Sequence, residues 1–268
     1  MRCNVFLQGI GAIGPGFDDW SQLAGMLSEA TPFSGEETRP PTLQLLPPAE
    51  RRRVGMLVKL ALTSGAQAVA HAGSDAARLP TVFSASGGDG ENCHVLCETL
   101  ASSDRSISPT RFHNSVHNAA SGYWSIATGS MASSTSLCAH DAGFAAGLLE
   151  AVTQVQATQQ DCMLIACDDH YGGALGKARP IADRMAIALV LSATRNEHSL
   201  AELSIDLSDH PADEQAPLPA LQKIYKGIPT ARGLNLMSRL ARNEAGAVYL
   251  DYLPPLSLSV QVKPLQVS

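Results

Sequence analysis

Charged residues, aromatic rings and long apolar runs are all scarce in this chain of 268 residues, and each shortage narrows what it can be. Charged side chains make up 16% of the residues and hydrophobic ones 45%, which excludes an extended disordered protein and fits a substantial buried core. Nineteen Lys and Arg stand against 25 Asp and Glu, so the formal charge is −6 and the basic footprint of a general nucleic-acid binder is missing. No apolar stretch approaches the roughly 20 residues of a membrane-spanning helix. The opening MRCNVFLQGIGAIG has one arginine and an apolar stretch that runs straight into glycines. It reads as a first strand and turn rather than a signal peptide, and the expected location is cytoplasmic.

The CxxC spacing of a structural zinc site is also missing. Cys93 and Cys97 lie four apart with His94 between them, and Cys162 and Cys167 flank an apolar strand. Such cysteines read as small buried hydrophobes, and no metal is expected. Residues 9–14, GIGAIG, match GxGxxG after a strand, but a dinucleotide site needs a helix to open at that turn. Here Pro15 and Gly16 follow, and the only acidic residues in range, Glu36 and Glu37, fall in a proline-rich loop. Both supports of a nicotinamide site are missing, so a nucleotide-binding module stands only as a third reading that a binding test should reject, and no cofactor is expected.

What is present is an alternation of strands and helices. A short strand over 4–8 leads into a glycine turn and a helix over 18–28; residues 31–48 carry five prolines and read as a loop. Helical spacing runs over 49–71, followed by a strand over 80–85, a turn at 86–88 and a helix over 93–100. A helix rich in small residues follows over 117–128, with Gly129 as its stop. A strand then ends at Cys138, a helix covers 139–157, and strands follow at 162–167 and 185–191. Beyond Asn196 the pattern weakens to a strand near 203–207, helices near 218–225 and 233–242, and an extended segment over 256–262. This order predicts an α/β sheet covered by helices.

The segment STSLCAHDAGFAAGLLE carries the chemistry. A thiol where a strand passes into a helix can use the free helix N–H groups and the positive end of the helix dipole to hold a thiolate, the start of a nucleophile for acyl transfer. Asp141 opposes that thiolate, and His140, two residues on, does not share a helix face with it. Cys138 thus reads either as an acyl-accepting cysteine or as a buried structural one. His113 and His117 are four apart and share a face if the helix starts early, but HNSVH lacks the glutamate of HExxH. Asp168 and Asp169 read as strand-end hydrogen-bonding groups, and Arg51, Arg52 and Arg53 as a solvated helix start.

These segments resemble the N-terminal half of β-ketoacyl-acyl-carrier-protein synthases. GIGAIGPG is similar to their glycine-rich first turn, SSTSLCAHDAGFAAG to their cysteine elbow, DCMLIACDDHYG to the next strand and MAIALVLS to the strand that closes the half. The resemblance covers about residues 1–195. It implies a thiolase-like half-fold, a mixed five-stranded sheet with helices on both faces, and leaves 196–268 as a C-terminal extension covering part of that sheet. SPTRFHNSVHNAASGYWSIATG and TSLCAHDAGFAAGLLEA resemble the stand-alone chain length factors of aryl polyene pathways. That likeness implies a heterodimer with a full-length ketosynthase, transient contact with an acyl carrier protein, and a dimer interface formed by 108–123 and the strand before Cys138. Phe112, His113, His117, Asn118, Tyr123 and Trp124 would then shape the acyl tunnel. The two catalytic histidine segments of a complete synthase have no counterpart here, since 196–268 hold only His198 and His210 in polar surroundings. An accessory role is therefore expected, with a cysteine-dependent acyltransferase or starter-loading subunit using Cys138 as the alternative.

Overall fold

The computed structural model describes residues 2–265. In chain order its elements are β1 (Cys3–Ile13), α1 (Trp20–Leu27), α2 (Pro48–Arg51), α3 (Met56–Ala72), β2 (Thr81–Ala85), α4 (Gly90–Ala101), α5 (Pro109–His113), α6 (Ala119–Thr128), β3 (Ser134–Cys138), α7 (Gly143–Thr158), β4 (Cys162–Asp168), α8 (Gly173–Ala178), β5 (Met185–Ser192), β6 (Ala201–Ser208), α9 (Gln222–Gly227), α10 (Leu234–Ala241), β7 (Gly246–Asp251) and β8 (Ser257–Pro264). The strands form one mixed sheet in the order β3-β2-β4-β5-β1-β6-β8-β7. The α/β class is as the resemblance implies. Among the described residues the strand count is eight, not five, because residues beyond 196 do more than cover the sheet: β6 pairs with β1, and β8 and β7 extend it further.

The central strands are buried on both faces, which explains their continuous apolar character. In β4, Cys162, Leu164 and Ala166 face the core shared with α1, α7 and α10, while Met163, Ile165 and Cys167 face α3 and α6. Strand β5 divides the same way. In β6, by contrast, buried Ala201, Leu203 and Ile205 alternate with half-exposed residues, so only one face is covered. That one-sided alternation is why the pattern looked weak after Asn196.

Most of the GIGAIG motif is strand, not turn. Gly9–Ile13 lie within β1, whose eleven residues run well past the short strand expected at 4–8, and only Gly14 opens a tight turn, closed by paired backbone hydrogen bonds with Phe17. The strand glycines let α3 lie directly on β1: a Cβ on Gly11 would sit 1.9 Å from the Ser64 carbonyl oxygen, and one on Gly9 would sit 2.3 Å from that of Ala68. Pairing with β6 stops at Leu7, and further along β1 the Ile10 and Ala12 N–H groups donate to His71 Nδ1 (3.2 Å) and Gln67 Oε1 (2.9 Å). The motif is thus a strand–helix contact with no room for a phosphate. Gly11→Ala must push two backbones apart and is expected to cost about 3 kcal/mol, read as a lower thermal midpoint. An unchanged midpoint would show that α3 can back away.

The expected helix over 49–71 is broken by an extended Gly55 into α2 and α3, so Arg51 ends a one-turn helix, with Arg52 and Arg53 after it, and the three do not open a helix. Glycine does end α6 as its placement predicts, with Gly129 left-handed at φ +69°.

Candidate acyl site and partner face

Three parallel strands, β2, β3 and β4, carry their carboxyl ends to the same edge of the sheet: Ala85 stands opposite Cys138, and β4 runs alongside to end at Asp168. Crevices at such strand ends are where open α/β sheets place their chemistry. Cys138 is exposed there rather than buried, although its sulfur is partly covered.

Its surroundings nevertheless work against a thiolate. The α-helix does not start at Cys138; a 3-10 turn (His140–Ala142) intervenes, and α7 begins only at Gly143. The next two N–H groups are already used, since Ala139 donates to Ala85 O (3.2 Å) and His140 to Ser86 O (3.1 Å). Burial of the sulfur, and after it the charge of Asp168, push the Cys138 thiol above its ordinary value. No hydrogen bond reaches its sulfur among the described residues. The thiolate support expected from the strand–helix junction is missing because the 3-10 turn holds the helix end away.

His140 adopts a left-handed conformation (φ +52°), and its ring meets the Arg179 guanidinium. Arg179 also donates to Asp141 Oδ1 at 2.8 Å. Asp141 is therefore paired with Arg179, and His140 serves that pair as neighbour, not Cys138 as base.

Asp168 has a structural task. It is 2% exposed, and its Oδ1 accepts from Ser86 N–H (2.8 Å) while its Oδ2 accepts from both Thr230 N–H (2.8 Å) and Thr230 Oγ1 (2.7 Å). Thr230 lies in a 3-10 segment (Pro229–Gly233), so the C-terminal part of the chain is tied into the Cys138 end of the sheet. Asp169 accepts from Arg184 Nε at 2.8 Å. Tyr171 places its hydroxyl 2.6 Å from Ser86 Oγ and covers the turn after β2, where a Cβ on Gly90 would sit 1.9 Å from its ring. Sequence reasoning missed Thr230, Tyr171 and Arg179, which belong to no motif and arrive only through tertiary packing.

The six residues singled out for a tunnel divide into two groups. Phe112, His113, His117 and Asn118 are exposed, while Tyr123 and Trp124 are each 2% exposed. His113 ends α5 and His117 falls in the turn before α6, so the two do not share one helix face. The Tyr123 hydroxyl donates to Asn114 Oδ1 (3.0 Å), and His113 meets its ring edge-on. Trp124 packs over Gly65, against α3. A 250 Å³ cavity touches Tyr123 and His113, and Glu50, Arg53, Pro109 and Thr110 complete its lining; Cys138 is not part of it. His198 lines a cavity with Pro80 and Asp161 at the opposite, amino-terminal ends of β2 and β4, and His210 stacks on Tyr249 of β7 at 3.9 Å. Neither histidine approaches Cys138.

The two edges of the sheet are treated differently. On the β7 side, Asp213 N–H donates to Tyr249 O (2.8 Å) and its carboxylate accepts the Tyr249 N–H (3.0 Å), which blocks further pairing. On the other side, among the described residues, β3 pairs with β2 alone. Next to that edge, Met131 just before β3 is 95% exposed and Ile126, on the α6 helix that contacts β3, is 50% exposed, while Phe112 (67%) and Val116 (52%) are exposed on and after α5.

Residues 20–245 match the family model for the β-ketoacyl synthase N-terminal domain. The chain belongs to this family. Among solved structures, a chain from the complex of a ketosynthase (ApeO) with its chain length factor (ApeC) from Xenorhabdus doucetiae is 20% identical, with a TM-score of 0.73 over 96% of this chain and 99% of that one. The ishigamide ketosynthase/chain length factor gives 0.70 at 12% identity, covering 98% and 100%. A type II polyketide synthase acyl-carrier protein in complex with its ketosynthase gives 0.72 at 12% identity, covering 99% and 100%. At these identities the likeness establishes the thiolase-like fold of this ketosynthase-family chain. No curated protein sequence matches.

Proposed function

We propose that this ketosynthase-family protein is an accessory chain length factor, which pairs through the β3 edge with a full ketosynthase and walls the tunnel of a growing polyketide chain. The observation that carries this reading is the contrast between the sheet's two edges: β7 is blocked by Asp213, while β3 pairs on one side only among the described residues and has exposed Ile126 and Met131 next to it. An open strand edge with exposed apolar side chains next to it suits a sheet-bearing partner. The raised thiol of Cys138 and its lack of a hydrogen-bonded base favour assistance over catalysis. The Xenorhabdus doucetiae complex, in which a ketosynthase is held by its chain length factor, supports the same assignment. The finer placement in an aryl polyene pathway rests on the segments around 108–129 and 135–151, and an acyl carrier protein would dock transiently on the assembled pair. Phe112, His113, His117 and Asn118 would meet the partner, with Tyr123 and Trp124 behind them.

Co-expression with the ketosynthase from the same source should yield a one-to-one complex, while recovery of the protein alone would overturn the assignment. Within that complex, Cys138→Ala should change the chain-extension rate by no more than about twofold, the scale of a group outside the chemical step. The exposure of Cys138 favours one rival, a cysteine-dependent acyltransferase or loading subunit. A loss of extension by orders of magnitude with assembly intact, or an acyl thioester trapped on Cys138, would establish that rival.

A further inference from the structure

Helix α4 carries exposed Cys93 and Cys97, which are not the small buried hydrophobes that their spacing suggested, and its first turn borders a cavity of 370 Å³. The start of α3 and the residues of α5 supply the other walls. Two asparagines, each 6% exposed, build the surround. Asn114 donates from Nδ2 to the Arg53 carbonyl oxygen (2.7 Å) and accepts from the Tyr123 hydroxyl, while Asn92 donates from Nδ2 to the Arg111 carbonyl oxygen (2.8 Å). The backbone that carries Arg53 and Arg111 is therefore held in place around the cavity.

Three arginines and three carboxylates line it. Two of these charges are committed elsewhere, Arg53 to Glu50 (3.0 Å) and Asp169 to Arg184 (2.8 Å). Among the described residues, no ion pair engages the other four: Arg52, Arg111, Asp89 and Glu91. Arg111 reaches only the Asn92 amide oxygen, at 3.4 Å. Asp89 spends one carboxylate oxygen on the cap of α4, accepting the Asn92 N–H (2.9 Å). Its Oδ2 stands at the start of α3 in room that Gly55 leaves, since a Cβ there would lie 2.6 Å away.

Opposite charges thus face one cavity without closing on each other. A simple anion would meet Asp89 and Glu91 at like charge, and a simple cation would meet Arg52 and Arg111. A molecule that carries both charges escapes each penalty. Its carboxylate suits the planar fork of arginine, and its ammonium suits carboxylate acceptors. Val54 and Met56 offer an apolar lining for the remainder, and the volume lies near the small end of the roughly 300–1,000 Å³ range of small-molecule sites.

We propose that this cavity binds a free α-amino acid as its zwitterion, with the carboxylate held by Arg52 and Arg111, the ammonium by Asp89 and Glu91, and the side chain over Val54 and Met56. Cys138 is not in the lining, and the site does not depend on the accessory role. Occupancy joins α3, α4 and α5 through one ligand and raises the thermal midpoint by mass action.

The test is isothermal titration calorimetry of the full chain, with its partner where one co-purifies, against each of the twenty common L-amino acids. At least one should bind. For the tightest, the matching amine without the carboxylate and the matching acid without the amino group should each bind about tenfold more weakly, the scale of a lost hydrogen bond to a charged group. Arg111→Gln and Glu91→Gln replace exposed side chains, should fold as judged by circular dichroism, and should each weaken binding by the same factor. Arg78→Gln, in the cavity at the amino-terminal strand ends, should change nothing. No binding by any amino acid at millimolar concentration, equal affinity for the amine or the acid, or wild-type affinity in either folded variant would each overturn the proposal.

Discussion

Ile126→Asp combined with Met131→Asp should release the protein from its ketosynthase while leaving its own fold intact. Both side chains are already in water, Ile126 at 50% and Met131 at 95% exposure, so charging them costs the isolated chain within about 0.5 kcal/mol. In the complex the same positions would be covered. Burying each apolar side chain contributes roughly 1.5–3 kcal/mol, and a carboxylate in its place must also be desolvated. Together the two changes remove on the order of 4 kcal/mol, about a thousandfold in affinity. Leu207→Asp with Leu253→Asp charges residues of comparable exposure outside the β3 face, and should leave the complex unaffected. Pull-down and sizing of the wild type and the two double variants decide the matter. Retained affinity in Ile126→Asp/Met131→Asp would place the partner on another face.

Asp168→Ala should produce the largest loss of stability among changes at the Cys138 end. It strands three buried donors, the N–H groups of Ser86 and Thr230 and the Thr230 hydroxyl. Each unsatisfied donor costs about 1–3 kcal/mol, so the sum is about 4 kcal/mol and the thermal midpoint falls by roughly 10 °C for a chain of this size. Thr230→Val removes one of the three bonds and should cost about 1 kcal/mol. The same variant reports on the thiol. With the Asp168 charge gone, Cys138 loses one of the two influences that hold its pKa up, although burial, the larger one, remains. Iodoacetamide should therefore alkylate Cys138 faster in folded Asp168→Ala at the same pH. A midpoint within 2 °C of wild type would mean that water satisfies the donors and that Asp168 does not anchor the C-terminal segment.

The residues that were legible in the sequence share one property: their local pattern and tertiary environment agree. Continuous apolar runs at 162–167 and 185–191 could only be strands buried on two faces, and β4 and β5 are that. Gly129 marked a helix end correctly, and the small residues before Cys138 marked a strand end, though the helix expected from 139 starts only at Gly143. Strand β7 and helix α8 escaped notice because one is short and one-sided and the other spans six residues, too little for a periodic signal. GIGAIG misled for the opposite reason: glycine permits a tight turn and a close helix contact alike, and sequence does not distinguish them.

By itself, then, the sequence determined the α/β class, the strand at whose end Cys138 stands, and the likeness to ketosynthases, since these follow from apolar periodicity and contiguous motifs. Only the tertiary structure decided that the sheet has eight strands, that Thr230 grips Asp168 across 62 residues, and that Asp213 closes one edge while β3 stays open. Those facts depend on hydrogen bonds and exposures between segments far apart in the chain, and a local pattern carries no information about which distant backbone group it will meet.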